Sequence, residues 1–266
     1  MKDKDGKMER KNDILLGPLE RPTLQWLASH MPAWVTPDTM TVIGILASTL
    51  TLVSYIMVGR GDIRHNPWML VASLGFFLNW FGDSLDGTLA RYRHKERPRY
   101  GYFVDHSVDG YTAVAMFLGI GFAKISRLDV AAFGAIGYLL SMIVVYLKTH
   151  VTGVFEMTTI KIGPTEIRIM AIILNVVLFF TGVSSVKVPG IAEEQTIGTI
   201  VIAVMAVALF GYYVYETVRV SYRLALLDGK RLERRLEKEA KKLEKEQKKA
   251  AKKKVPESLE NASGQV

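Results

Sequence analysis

The chain of 266 residues contains no cysteine, which excludes disulfides and thiolate metal sites. It also lacks the Gly-rich loops of Walker and Rossmann nucleotide sites, a His-Glu-x-x-His zinc motif and any internal repeat. The first thirteen residues, MKDKDGKMERKND, are charged and have no apolar core, so no cleavable secretory signal is expected. Charge itself is missing from long stretches. Six near-continuous apolar runs cover roughly 39–58, 67–90, 102–123, 130–152, 167–186 and 196–218. Each approaches the length of about 20 residues that a helix needs to cross a bilayer's hydrocarbon core. A soluble bundle buries one or two such helices, but not six with so little polar face. The expected fold class is therefore all-α: a polytopic membrane protein with six transmembrane helices.

The flanks differ from this core. Leu24, Leu27 and Met31 recur at helical spacing beside Trp26, with Pro22 suited to a first turn and Pro32 to a stop. Residues 1–35 are thus expected to hold a cytoplasmic N-terminus and an amphipathic helix on the membrane surface. Residues 36–222 form the six-helix domain, entered at Thr36-Pro37-Asp38, and residues 223–266 a charged tail. Between Asp228 and Lys254, thirteen Lys or Arg stand against six Asp or Glu, a surplus of seven within a net charge of +8. Leu232, Leu236, Leu243 and Ala250 give that stretch only a thin apolar stripe, which reads as a solvated helix able to rest on anionic lipid, not on nucleic acid. Residues 255–266 read as disordered. Placing Arg91, Arg93, Lys95, Arg97, Arg99 and the basic tail inside puts both termini in the cytoplasm.

Four acids interrupt the apolar pattern. Asp83 and Asp86 are three apart near the end of the second run, and Asp105 and Asp109 four apart near the start of the third, so each pair shares a helix face. The short connection makes the two helices antiparallel neighbours whose acidic faces converge. A charge at mid-bilayer costs about 2.5–3.5 kcal/mol on insertion scales, less near the interface. Four carboxylates together therefore call for neutralisation, and hard oxygen ligands select Mg²⁺, Mn²⁺ or Ca²⁺. Four suit a two-metal site that bridges a phosphate. The plainer alternative is solvated helix ends paired with the basic residues that follow. Gly87 and Ala90, too small to add much packing, favour the metal site by leaving room for a ligand at the backbone.

Asp83-x-x-Asp86-Gly87-x-x-Ala90-Arg91, followed by Gly101-x-x-x-Asp105-x-x-x-Asp109, resembles the signature of the CDP-alcohol phosphotransferases, with nine residues rather than the usual eight between Arg91 and Gly101. The resemblance implies a Mg²⁺ or Mn²⁺ two-metal site on Asp83, Asp86 and Asp105, with Asp109 near the metals and serving as general base. It implies that Gly87, Ala90 and Gly101 line the nucleotide and that Arg91 grips its phosphates. The implied reaction is attack of an acceptor hydroxyl on a CDP-linked donor with loss of CMP, and the implied assembly is a homodimer. His106, in Phe103-x-Asp105-His106, is similar to the choline and ethanolamine branch and is the second candidate base.

Thr149-His150-Val151-Thr152-Gly153 and Pro164-Thr165-Glu166-Ile167 also resemble that branch, where CDP-choline or CDP-ethanolamine reacts with diacylglycerol. Glu166, with Trp80, Tyr102 or Tyr146, would cradle a quaternary ammonium. The alternative is CDP-diacylglycerol with a small polar alcohol, where Lys148, Lys161 and Arg168 would meet an acceptor phosphate. A divalent cation transporter is the reading from another class. It demands acids near mid-span on several broken helices, whereas these cluster at facing ends of two.

Overall fold

A computed structural model describes residues 16–152 and 164–253. The N-terminal charged segment, Gly153, Lys161 and the segment 255–266 lie outside the described residues. Among the described residues seven helices follow in order: α1 (Gly17–His30), α2 (Pro37–Val58), α3 (Pro67–Tyr92), α4 (Pro98–Phe122), α5 (Leu128–Thr152), α6 (Pro164–Thr181) and α7 (Ile197–Lys253). Before α7, strands β1 (Ser185–Val186) and β2 (Gln195–Thr196) pair antiparallel. Among the described residues the protein is all-α apart from that pair.

Proline punctuates the helices. α2, α3, α4 and α6 all open on one, at the position where a missing N–H leaves no bond unmade and a fixed φ suits the helix. Thr36 caps α2 reciprocally with Thr39, as the Thr-Pro-Asp entry signal predicts. α1 departs from expectation. It starts at Gly17, with Pro18 in its first turn, so Pro22 lies inside the helix instead of opening it. The first turn has no use for its N–H groups in any case, so Pro18 takes the role the sequence assigned to Pro22.

Among the described residues, four helices contain a stretch long and apolar enough to cross a membrane: α2, α5, α6 and α7. The two long helices outside that set, α3 and α4, are the two that carry the acidic residues. α7 runs without a break through the expected sixth span and the charged stretch, with no proline to interrupt it. The chain divides after Val214 into two compact units. Within the second, Glu216 and Arg219 form an i,i+3 ion pair at 3.3 Å.

The first unit is organised by α2, which packs on both α3 and α4. Glycine makes the α2–α3 approach close. A Cβ on Gly82 would stand 2.5 Å from the Met40 carbonyl oxygen and 2.7 Å from the Gly44 nitrogen, and one on Gly75 would stand 2.3 Å from the Thr51 hydroxyl. Small residues at such crossings let backbones meet where side chains would hold them apart. Buried Asn79 donates to the Gly44 carbonyl and to Ser48 Oγ, and Ser48 in turn bonds Thr112 of α4 at 2.8 Å. α6 covers α3 and α5 covers α4. The expected antiparallel pairing of α3 with α4 is not what organises this core: their main packing partners are α2, α5 and α6.

Candidate metal and phosphate site

On α4, one helical turn brings Asp105, His106 and Asp109 together. One ligand atom from each lies within 4.8 Å of the others. His106 Nδ1 is 3.5 Å from Asp105 Oδ2 and 4.0 Å from Asp109 Oδ2. The imidazole is buried, while both carboxylates keep partial solvent access. Two tyrosines hold the ring in place. Tyr146 of α5 stacks on it at 4.8 Å and 9°, and Tyr102, one turn earlier on α4, meets it edge-on at 4.1 Å.

The α3 carboxylates stand opposite with partners of their own. Arg168 of α6, itself buried, donates to Asp83 Oδ2 at 2.8 Å. The Thr41 hydroxyl of α2 donates to Asp86 Oδ2 at 2.8 Å. Among the described residues, the ligand atoms gathered within 4.8 Å are those of the three α4 groups, and Asp83 and Asp86 fall outside that group. Apart from the imidazole, the donor set is carboxylate oxygen, the chemistry that suits a hard divalent cation. The three α4 groups make a cluster able to hold a metal ion.

The remaining predicted residues surround this cluster unevenly. Gly87 and Ala90 lie half-buried on α3. A Cβ on Gly87 would meet Arg91 Nη1 at 3.3 Å, because the exposed guanidinium folds back to donate to Thr88 Oγ1. Gly101 is exposed, and a Cβ there would touch nothing within 4 Å, so packing does not require the glycine. Glu166 is buried at the start of α6, where its Oε1 accepts the backbone N–H of Leu16 at 3.0 Å. Trp80 turns its indole N–H to Glu20 at 2.8 Å. Of the four groups considered for an ammonium cradle, only Tyr102 and Tyr146 flank the acids through His106.

Sequence reasoning missed Thr41 and Glu20, and read Arg93 and Arg168 as ordinary positive charges or, for Arg168, as an acceptor contact. Arg93 ends α3 and donates to the carbonyls of Met31 (3.0 Å), Pro32 (2.8 Å) and Val35. One guanidinium thereby gathers carbonyls of the turn that joins α1 to α2. A signal for Glu20 was present: it falls on the same stripe as Leu24, Leu27 and Met31, and an acid in register with an apolar face needs a partner.

A sequence model of CDP-alcohol phosphatidyltransferases matches residues 34–214, the segment that runs from the entry to α2 into α7 and contains all four acids. The chain belongs to the CDP-alcohol phosphatidyltransferase family. As a member of that family, with several long apolar helices, it is an integral membrane protein. Among its curated relatives, cholinephosphotransferase 1 of Homo sapiens is 29% identical over 175 residues, covering 62% of this chain and 42% of that protein. Cholinephosphotransferase 1 of Gallus gallus is 25% identical over 205 residues, covering 75% and 61%. Archaetidylinositol phosphate synthase of Pyrococcus horikoshii is 28% identical over 182 residues, covering 68% and 83%. This phosphatidyltransferase-family chain thus spans 39% to 61% of the length of the cholinephosphotransferases it resembles.

Proposed function

We propose that the protein transfers a substituted phosphate from a CDP-linked donor to an alcohol, releasing CMP, in phospholipid synthesis. The observation that carries this reading is the Asp105–His106–Asp109 cluster on α4, whose ligand atoms lie within 4.8 Å of one another inside the family-matched segment. Asp83, Asp86, Asp105 and Asp109 would hold two Mg²⁺ or Mn²⁺ ions. When bound, such ions supply positive charge to the donor's pyrophosphate and to the departing CMP oxygen. The chain's own groups do the rest. The acceptor's hydroxyl oxygen forms the new bond to the β-phosphorus while the bond from that phosphorus to the CMP oxygen breaks. Asp109 takes the hydroxyl proton. His106, stacked on Tyr146 and within 4.0 Å of both α4 carboxylates, orients them and is the second candidate base. Gly87, Ala90 and Gly101 leave backbone open to the nucleotide, and Arg91 leaves Thr88 to meet its phosphates.

For the donor we favour CDP-choline or CDP-ethanolamine, with diacylglycerol as acceptor. Tyr102 and Tyr146 beside the acids give an ammonium group aromatic faces to rest on. The likeness to cholinephosphotransferases points the same way. A second reading, CDP-diacylglycerol with a small polar alcohol, has two supports: the buried cation Arg168 at the acids, and the likeness to archaetidylinositol phosphate synthase over most of that protein's length.

The family domain is taken as residues 36–222. α3 and α4 join the four apolar helices as spans, giving six, with their acids at the cytoplasmic end and both termini inside. The protein works as a homodimer. Purified protein with Mg²⁺ or Mn²⁺ is to be offered labelled CDP-choline, CDP-ethanolamine and CDP-diacylglycerol, and the lipid product identified. Metal-dependent CMP release with the first two supports the favoured reading, and release only with the third supports the second. Cation transport without CMP from any donor contradicts both.

A further inference from the structure

Glu20 reads in the sequence as one more charge on a surface helix, but its surroundings are those of a junction. Its Oε1 accepts three hydrogen bonds from two helices: Trp80 Nε1 at 2.8 Å and Ser84 Oγ at 3.1 Å on α3, and Thr165 Oγ1 at 2.9 Å on α6. Ser84 is the neighbour of Asp83, and Thr165 lies one turn before Arg168, the residue that bonds Asp83 at 2.8 Å. α3 and α6 are therefore joined twice at the same level, directly by an ion pair and indirectly through Glu20. The helix carrying Glu20 is fastened at both ends as well. Glu166 of α6 accepts the Leu16 N–H at one end, and Arg93 of α3 gathers the carbonyls of Met31 and Pro32 at the other.

We propose that Glu20 is a positioning residue for phosphoryl transfer, setting the first turn of α6 against α3 so that Arg168 meets Asp83. A carboxylate fits this task because its charge strengthens each bond it accepts, and one oxygen can serve several donors. Alanine at this position leaves an indole N–H and two hydroxyls without their acceptor. Glutamine keeps a neutral acceptor oxygen in the same place. A slackened α6 carries Arg168 off the Asp83 carboxylate, and misplacement of about 1 Å in a catalytic array lowers rate by as much as about a hundredfold. The role in catalysis rests on the transfer reaction proposed above; the junction itself does not.

The test uses the full chain in detergent micelles. Wild type, Glu20→Ala, Glu20→Gln, Arg168→Gln and the Glu20→Ala/Arg168→Gln double variant are compared by CMP release and by hydrogen exchange across α6. Glu20→Ala is expected to lower kcat roughly tenfold, and Glu20→Gln by no more than about threefold. In the Arg168→Gln background the same alanine change is expected to cost less than about twofold, because its route to the reaction is already cut. Exchange of the amides at 167–172 should quicken in Glu20→Ala and much less in Glu20→Gln. Equal fold-losses in both backgrounds would mean that Glu20 only holds the protein together, and the proposal falls. Unchanged exchange in α6 also overturns it. Where wild type releases CMP from no donor, the transfer reading fails, and exchange in α6 alone decides whether Glu20 positions that helix. Thr165→Val, which removes a single donor, replaces Glu20→Ala should that variant not fold, with the same expected direction and the same coupling to Arg168.

Discussion

The acids of α3 and those of α4 stand in different company. Asp83 and Asp86 are answered by other helices, through the Arg168 guanidinium and the Thr41 hydroxyl. Among the described residues, the ion-pairing partner within 4.0 Å of Asp105 and Asp109 is a histidine of their own helix, stacked on Tyr146 and edge-on to Tyr102, close to both without neutralising two negative charges. The α3 half is braced by the fold, while the α4 half presents two carboxylates and an imidazole able to hold a metal ion. On the function proposed above, an ion would have its strongest hold on α4, and α3 would set where that ion stands relative to a phosphate.

The largest effect follows from removing a charge on the α4 side. Asp105→Asn keeps the shape and removes an anionic ligand, and CMP release is expected to fall about 10³-fold or more with every donor. Binding of Mn²⁺, followed by its own magnetic resonance signal, should weaken in parallel. An active Asp105→Asn protein contradicts both the metal assignment and the contrast between the two helices.

A second variant reverses the comparison. Arg168→Gln strips Asp83 of its cation and makes the α3 half resemble the α4 half. Truncating one partner of a buried ion pair costs about 3–5 kcal/mol, and less here because Asp83 retains some solvent contact. Thermal unfolding should therefore begin at lower temperature. Added Mg²⁺ should raise the midpoint more in Arg168→Gln than in wild type, because the freed carboxylate gains from ion binding. An equal Mg²⁺ response in the two proteins would place Asp83 outside the cation's reach.

The two halves were also unequally legible in the sequence. The pairs Asp83/Asp86 and Asp105/Asp109 follow from helical periodicity alone, because three- and four-residue spacings fix a shared face whatever the tertiary fold. The helices themselves were visible as apolar runs, and most of their starts were marked by proline. What stayed hidden depends on which helices touch and how each is rotated. Arg168 is 85 residues from Asp83, Thr41 is 45 from Asp86, and the Leu16 amide is 150 from Glu166. No local pattern encodes those pairings. Gly44, Gly75 and Gly82 held the nearest clue, since glycines on two successive apolar helices mark a close crossing. That crossing of α2 with α3 is what brings Thr41 to Asp86. The proximity of α3 and α4 in sequence misled, because a short connection constrains the helix ends and not the packing along their length.

The smallest effect tests that α2 contribution. Thr41→Val preserves the branched shape and so the packing of α2, but it removes the hydroxyl that donates to Asp86. A hydrogen bond of this kind contributes about 1 kcal/mol net, which corresponds to a loss of roughly fivefold in the property it supports. If Thr41 orients Asp86 for an ion, the Mg²⁺ concentration for half-maximal CMP release should rise by about that factor, with kcat at saturating Mg²⁺ changed much less. Thr41→Ser, which keeps the hydroxyl, should return most of the loss. A drop in kcat that excess Mg²⁺ does not recover would instead mean that Thr41 serves the shape of the α2–α3 crossing, and that α3's acids are braced by Arg168 alone.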